Sequence, residues 1–340
     1  MKWLQRVGLP AGIGLLLYLV LHDGGDVLNT IRRAGPTILW LIPLHALPLL
    51  LDACGWRTLL GKSTSLLFLW WIATVREAVS RLLPVASIGG EIVGIRLANW
   101  KAHNLSSVSA SVIVEVLVTM MVQYAFSAIG LVLILACTEM KNSLGPIALA
   151  VVLSLPLPAV VFIVVRRGGV FRAIERWAAR LLGAENPLLQ AIDCKQLDTD
   201  IDALMSRVGL LIRSFLWQFA GYALGALETY WALSMLGHSI SPAGALAIEA
   251  LTQAVRHAAF IIPAGMGVQE AAVVLLAQMF GVDREVALSL ALVKRVREVV
   301  FGCCALASWQ VAEILIRRPA RKGEVAAAQV ENQLPDDARI

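Results

Sequence analysis

Apolar residues in this chain come in long runs that do not alternate with polar ones. Such runs at 7–21, 38–56, 108–136, 146–165, 209–236 and 286–311 predict membrane-spanning helices. Two further apolar stretches, 66–100 and 245–280, are each broken near the middle. The first break lies in LLPVASIGGE (82–91) and the second in IIPAGMGVQE (261–270). Both have two aliphatic residues, a proline, glycine in the break, and a glutamate seven residues after the proline.

Only helices or closed barrels span lipid, because backbone polar groups find no water there. The runs do not alternate, so the predicted class is all-α: six to eight transmembrane helices, with two broken or re-entrant hairpins. A mean hydropathy of +0.74 with 16% charged residues excludes an ordinary soluble globular protein. One membrane domain is expected over residues 1–316, with a disordered cytoplasmic tail over 317–340. No small-x-small cleavage site follows the first apolar run, so 7–21 reads as a retained helix.

Basic residues set the topology. Lys2, Arg6, Arg57, Lys62, Lys101, the basic loop 166–208 and Arg317, Arg318, Arg321 and Lys322 fall on one side if each broken stretch returns to the face it entered from. Both termini are then cytoplasmic in a cell inner membrane. Three full spans separate the two broken stretches, so the hairpins enter from opposite faces. The broken stretch plus its following helix is therefore expected to be an inverted repeat offset by 179 residues. That offset places Pro84 on Pro263, Glu91 on Glu270 and Glu115 on Lys294. Full crossing by each broken stretch would also invert the repeats, so six spans plus two hairpins and eight spans both stand.

Broken helices at membrane depth are tolerated only around protein or a watery cavity. Here the helices after the breaks would start near Ser87 to Gly90 and near Gly265 to Val268, aiming positive ends inward. The broken stretches carry Arg76, Glu77, Arg81, Glu91, Arg96, Glu249, Arg256, His257 and Glu270. The following helices add Glu115, Lys294, Arg295, Arg297 and Glu298. Each ionised side chain at a helix centre costs about 2.5–3.5 kcal/mol on insertion scales, so these groups must pair or line a cavity. Expected pairs are Arg76 and Arg81 with Glu77, and Lys294 with Glu298. Arg96 and Arg297 are expected to snorkel to the interface. The predicted substrate-binding set is Arg76, Arg81, Glu91, Glu115, Arg256, Glu270 and Arg295. The arginines would hold phosphate or polar headgroup oxygens, and Glu91 and Glu270 would orient them or gate the cavity. The helix-break set is Pro84, Gly89, Gly90, Pro263, Gly265 and Gly267.

The motif LLPVASIGGEIVGIRLAN with Glu115 on the next helix, and the stretch IIPAGMGVQEAAVVLLAQMFGVDREVALSLALVKRVREVV, resemble the lysylphosphatidylglycerol synthase transmembrane region family over about residues 5–315. Pro84, Gly89, Gly90, Glu91 and Arg96 match the first motif, and Pro263, Gly265, Gly267, Glu270 and Arg295 the second. Where the family's helix after the first motif carries an acid–Arg pair, this chain has Glu115 and Val116. The resemblance implies a lipid translocator of two inverted halves. It does not imply synthase activity, because the chain as given holds no stretch for the soluble aminoacyl-transfer domain. Overall similarity points to the stand-alone, hopanoid-biosynthesis-associated branch.

Other signals weigh less. GWRTLLGKST (55–64) has one residue too many for a phosphate loop and follows no strand. DTDID (198–202) lacks the glycine and glutamate of a calcium loop; Leu197, Ile201, Leu204 and Val208 suggest a surface helix instead. Residues 170–183 read as an interfacial helix with Arg172, Arg176 and Arg180 outward. GYALG (221–225) is a small-xxx-small packing motif, and His257 reads as a packed histidine. The five cysteines have neither metal-ligand nor disulfide spacing, and no metal or cofactor is expected. Expected partners are a membrane lipid, lipid-biosynthesis enzymes and a second copy of the chain, but no nucleic acid. The leading expectation is a non-enzymatic flippase or transporter. The rivals are an intramembrane lipid-modifying enzyme and a scaffold for a lipid-synthesis complex.

Overall fold

A computed structural model describes residues 32, 35–61, 63–82, 89–101, 104–137, 156–167, 169, 193–258 and 267–333. The predicted first helix 7–21, the interfacial helix 170–183 and the break residues Pro84, Pro263 and Gly265 lie outside these residues.

All regular structure among the described residues is helical. A 3-10 turn, Gly35–Trp40, leads into α1 (Leu41–Leu44) and α2 (Ala46–Leu60). The broken stretch 66–100 forms α3 (Leu66–Leu82) and α4 (Gly89–Ala98), followed by the long α5 (Leu105–Cys137). The described part of span 146–165 is α6 (Pro156–Arg166). Then come α7 (Cys194–Met205), α8 (Val208–Met235), α9 (Pro242–Ala258), α10 (Val268–Met279) and α11 (Arg284–Gln333).

Among the described residues, four helical segments are long and apolar enough to cross a membrane: Gly35–Leu60, Leu105–Ala136, Val208–Met235 and Arg284–Ile316. They coincide with predicted spans 38–56, 108–136, 209–236 and 286–311. The backbone of α11 continues as helix to Gln333, into the tail predicted as disordered from 317. Glu324–Gln333, EVAAAQVENQ, is rich in strong helix formers.

The first broken stretch is a returning hairpin. Gly90 of α4 lies against Arg76 and Ser80 of α3, and Gly94 lies against Arg76, so the two arms run antiparallel. A Cβ at Gly90 would fall 2.5 Å from the Arg76 carbonyl oxygen, and one at Gly94 2.6 Å from Arg76 Cδ. Only glycine allows this approach. Helix α4 has 10 residues and α10 has 12, so they are about 15 and 18 Å long. Each of these described helices is shorter than a hydrocarbon core of about 30 Å.

The inverted repeat is present and extends one helix further than predicted. An offset of 179 residues carries α4's first residue onto α10's, and α5's first residue onto α11's. It also carries one apolar core onto the other. Ala53, Leu69, Ala98, Val108 and Val112 in the first core correspond to Ala232, Ile248, Ala277, Ala287 and Ala291 in the second. Since Ala53 lies on α2 and Ala232 on α8, these helices are also equivalent. They pack antiparallel, as inversion demands: Gly55 meets Ser214 and Gln218, while Gly221 of the GYALG motif meets Pro48 and Leu51.

Each long helix packs on the other repeat's hairpin. Gly130 of α5 abuts Ala250 of α9, and Gly302 of α11 abuts Ala78 and Leu82 of α3. The contact between Gln123 and His257 is the repeat equivalent of that between Gly302 and Ala78. Helix α7 covers one end of α5 through Leu197, Ile201 and Met205. Val208, placed on the same face by sequence, is exposed because the helix stops at Met205 and α8 begins afresh.

Gly90→Ala should lower the apparent Tm in detergent, an overpacking loss of about 1–3 kcal/mol. Gly209→Ala, whose Cβ would meet nothing within 4 Å, should leave Tm unchanged in the same thermal scan.

Candidate functional site: a buried ion-pair lattice

Among the described residues, most charges of the hairpins and their neighbouring helices form three connected groups. In the first, Arg76 of α3 bonds Glu91 of α4 and, at 2.8 Å, Glu115 of α5. Its guanidinium lies 5.0 Å from the centroid of Trp56, a cation–π distance. Asp52 of α2 also interacts electrostatically with Arg76 and Glu91. One arginine thus serves three carboxylates.

The second group joins the two repeats. Arg81, in the last turn of α3, bonds Glu77 at 2.6 Å and also Glu298 of α11. Glu298 takes Arg295 at 3.1 Å, Arg297 at 3.8 Å and the Gln269 amide at 3.1 Å. Arg297 bonds Glu228 of α8. His45, between α1 and α2, faces Glu77 at 2.9 Å and Glu228 at 3.4 Å. Glu298, with 4% of its surface exposed, is the hub that ties the tip of one hairpin to the return arm of the other.

In the third group, Lys294 bonds Glu249 of α9 and, at 2.8 Å, the Thr229 hydroxyl of α8. Glu249 also accepts from Thr229 and from Gln253.

Six of the seven predicted substrate-binding residues join this lattice. Arg76, Glu91 and Glu115 meet in the first group, while Arg81, Glu270 and Arg295 meet around Glu298 in the second. Glu270 sits 3.7 Å from Arg295, but its other oxygen accepts the Gly267 N–H at 2.7 Å. It therefore caps its own half-helix, whose entry Gly267 has φ +77°, a conformation favouring glycine. Glu91 holds the equivalent third position of α4. The positive ends predicted to attract an anion already carry carboxylates of the chain itself.

Arg256 stands apart. It is half-buried in the last turn of α9, interacts electrostatically with Arg81, Glu77 and Glu298, and forms no ion pair among the described residues. Its Nε is buried without a hydrogen-bond partner. The neighbouring His257, expected to be packed, is exposed, though both of its ring nitrogens are hydrogen-bonded. Its Nδ1 donates to the Gln253 carbonyl at 2.6 Å, leaving Nε2 to accept from Gln123 at 2.9 Å.

Several expected pairings differ. Lys294 pairs with Glu249 rather than with Glu298 on its own helix, and Arg76 pairs across helices rather than with Glu77. Burial explains both: a charge facing a neighbouring helix reaches a partner there, whereas a pair within its own helix would leave it unpartnered across the interface. Arg297 does not snorkel; it is 6% exposed and bonded to Glu228. Arg96 reaches Glu313 at 2.6 Å from an exposed position. His45, Asp52, Glu228 and Trp56 were outside the predicted set. Asp52 and Glu228 carry a sequence signal all the same, as isolated acids inside otherwise apolar spans.

No group of three or more potential metal ligands occurs among the described residues. Inverted repeats, half-membrane hairpins and a charged interior define a class: polytopic, all-helical membrane proteins with a polar site between two halves. Within it, the family described as Lysylphosphatidylglycerol synthase TM region matches residues 7–305. The chain belongs to that family, and is a membrane protein of lipid metabolism or transport. Neither the curated proteins nor the solved structures give a match.

Glu249→Gln and Lys294→Met should each destabilise by about 3–5 kcal/mol, because each strands a buried charge or its partner. The double variant should recover much of the loss, since the remaining pair is neutral. Thermal unfolding of the four proteins in one detergent checks this double-mutant cycle.

Proposed function

We propose that this protein moves a polar-headgroup lipid between the leaflets of the cell inner membrane, with both termini cytoplasmic. The observation that carries this reading is Arg256. A partly open guanidinium, with no ion-paired carboxylate among the described residues, sits in the field of Arg81 where the last turns of both entering hairpin arms approach Glu298. Such a group suits an anionic or strongly polar headgroup, because a guanidinium offers a planar fork of donors to phosphate-like oxygens.

The lattice supports a way to couple binding to movement. A headgroup at Arg256 and Arg81 competes with Glu298 and Glu77 for Arg81. Drawing Arg81 from Glu298 loosens the tie between the first hairpin and α11, on which the contact between repeats depends. The carboxylates then fall back on Arg295, Arg297 and His45, so no charge is stranded in the interior. The lipid passes with its headgroup in the polar interior and its chains in the bilayer, and no bond of it is made or broken. A hopanoid or related membrane lipid is the proposed cargo, supplied by lipid-biosynthesis enzymes.

The test is a leaflet assay with pure protein in liposomes and a panel of labelled lipids. Wild type should deplete the protected pool of at least one lipid. Arg256→Gln should slow this by about tenfold or more, the value of a lost charge-assisted hydrogen bond, while Gly209→Ala should match wild type. Equal rates for wild type and Arg256→Gln would remove the site from the path. A changed headgroup mass without leaflet exchange would replace the reading with a lipid-modifying enzyme.

A further inference from the structure

A second polar feature lies away from the lattice. The C-terminal end of α2, the start of α5, the start of α8 and helix α7 enclose a cavity of about 580 Å³. Because α2 and α8 are antiparallel, the end of one and the beginning of the other mark the same membrane face. The volume falls within the usual ligand-pocket range of about 300–1,000 Å³.

Three guanidiniums line this cavity, those of Arg57, Arg207 and Arg213, against one carboxylate, Asp200. Asp200 is already engaged: it accepts from the Ser106 hydroxyl at 2.7 Å and from the Gln196 amide at 2.9 Å. None of the three arginines forms an ion pair among the described residues. The Nε of Arg57 is buried with no hydrogen-bond partner. Arg207 and Arg213 are exposed and Arg57 is half-buried, so the three present spare guanidinium donors around one cleft, one of them, the Arg57 Nε, out of contact with water. The remaining wall is amphipathic, with Ser107 on one side and Leu210 and Trp217 on another.

We infer that this cavity is a binding site for a phosphate ester, with Arg57, Arg207 and Arg213 as its ligands. The phosphate oxygens take the guanidinium forks, and the apolar wall takes whatever adjoins the phosphate. The site is distinct from the hairpin lattice and does not rest on the translocation reading. Its cations lie on the face to which the basic loops are assigned, so it would meet phosphate in that leaflet or in the adjoining water.

The experiment is equilibrium binding to the full chain in neutral detergent, read by native mass spectrometry. The probes are phosphatidic acid, the diacylglycerol with the same chains, and glycerol 3-phosphate. Phosphatidic acid should bind at least about tenfold tighter than diacylglycerol, and Arg57→Gln/Arg213→Gln should lose that difference. Arg207→Gln, a change at an exposed helix cap, is the second variant and should weaken phosphatidic acid binding with the fold intact. Arg256→Gln should leave binding unchanged, so that failure here and failure of the leaflet assay are told apart. Glycerol 3-phosphate displacing the lipid at comparable concentration would identify a soluble phosphate ester as the ligand. Failure to displace it would identify the lipid. Equal binding of phosphatidic acid and diacylglycerol, or undiminished binding by folded double and Arg207 variants, would overturn the inference.

Discussion

Everything in this molecule is arranged around the cost of keeping charge inside a lipid-immersed protein. An isolated ionised side chain at membrane depth is expensive, and breaking a buried pair is more expensive than never having built it. The chain nevertheless places Glu298, Arg295, Arg297 and Lys294 within two turns of α11, three of them under 10% exposed. These residues are tolerable only because α3, α8 and α9 each bring an opposite charge to meet them. The packing of the two repeats and the satisfaction of the lattice are therefore one requirement.

The apolar framework is nearly symmetric, whereas the charges are not. Ala53 and Ala232, or Leu69 and Ile248, do the same packing in the two halves. The polar positions break the correspondence: Glu115 becomes Lys294, Val116 becomes Arg295, Val118 becomes Arg297 and Thr119 becomes Glu298. The first repeat's long helix carries one acid there, and Arg76 comes from α3 to answer it where Val116 cannot. Apolar packing is served by shape alone, so one solution can be used twice. Charges must be balanced over the whole molecule, so they can be distributed unequally between its halves.

The hairpins supply the third element. Glycines at the arm contacts let α4 lie directly on α3, which brings Glu91 to Arg76 without long, floppy side-chain reaches. The return arms begin beside the breaks, and their helices, about 15 and 18 Å long, are roughly half the thickness of a hydrocarbon core. In the second, Glu270 caps the positive end, and in the first Glu91 sits in the opening turn bound to Arg76, so an external anion is left to the arginines.

Much of this was legible in the sequence. Run length gave the spans at 38–56, 108–136, 209–236 and 286–311, because lipid thickness fixes helix length. The proline–glycine–glutamate motif gave both breaks and, through the basic residues, their inversion, because unsatisfied backbone is allowed only in protected places. Those constraints act on each segment separately, so a one-dimensional reading captures them. The partners of the charges were not legible. Nothing in the order of residues says that Lys294 passes over Glu298, four positions away, to reach Glu249, or that Arg297 points inward to Glu228. Side-chain direction around a helix, and which neighbour lies there, follow from how α3, α8 and α9 pack against α11. The sequence by itself determined that charge would be buried at the two breaks; only the tertiary structure decided which charge answers which, and left Arg256 without a carboxylate among the described residues.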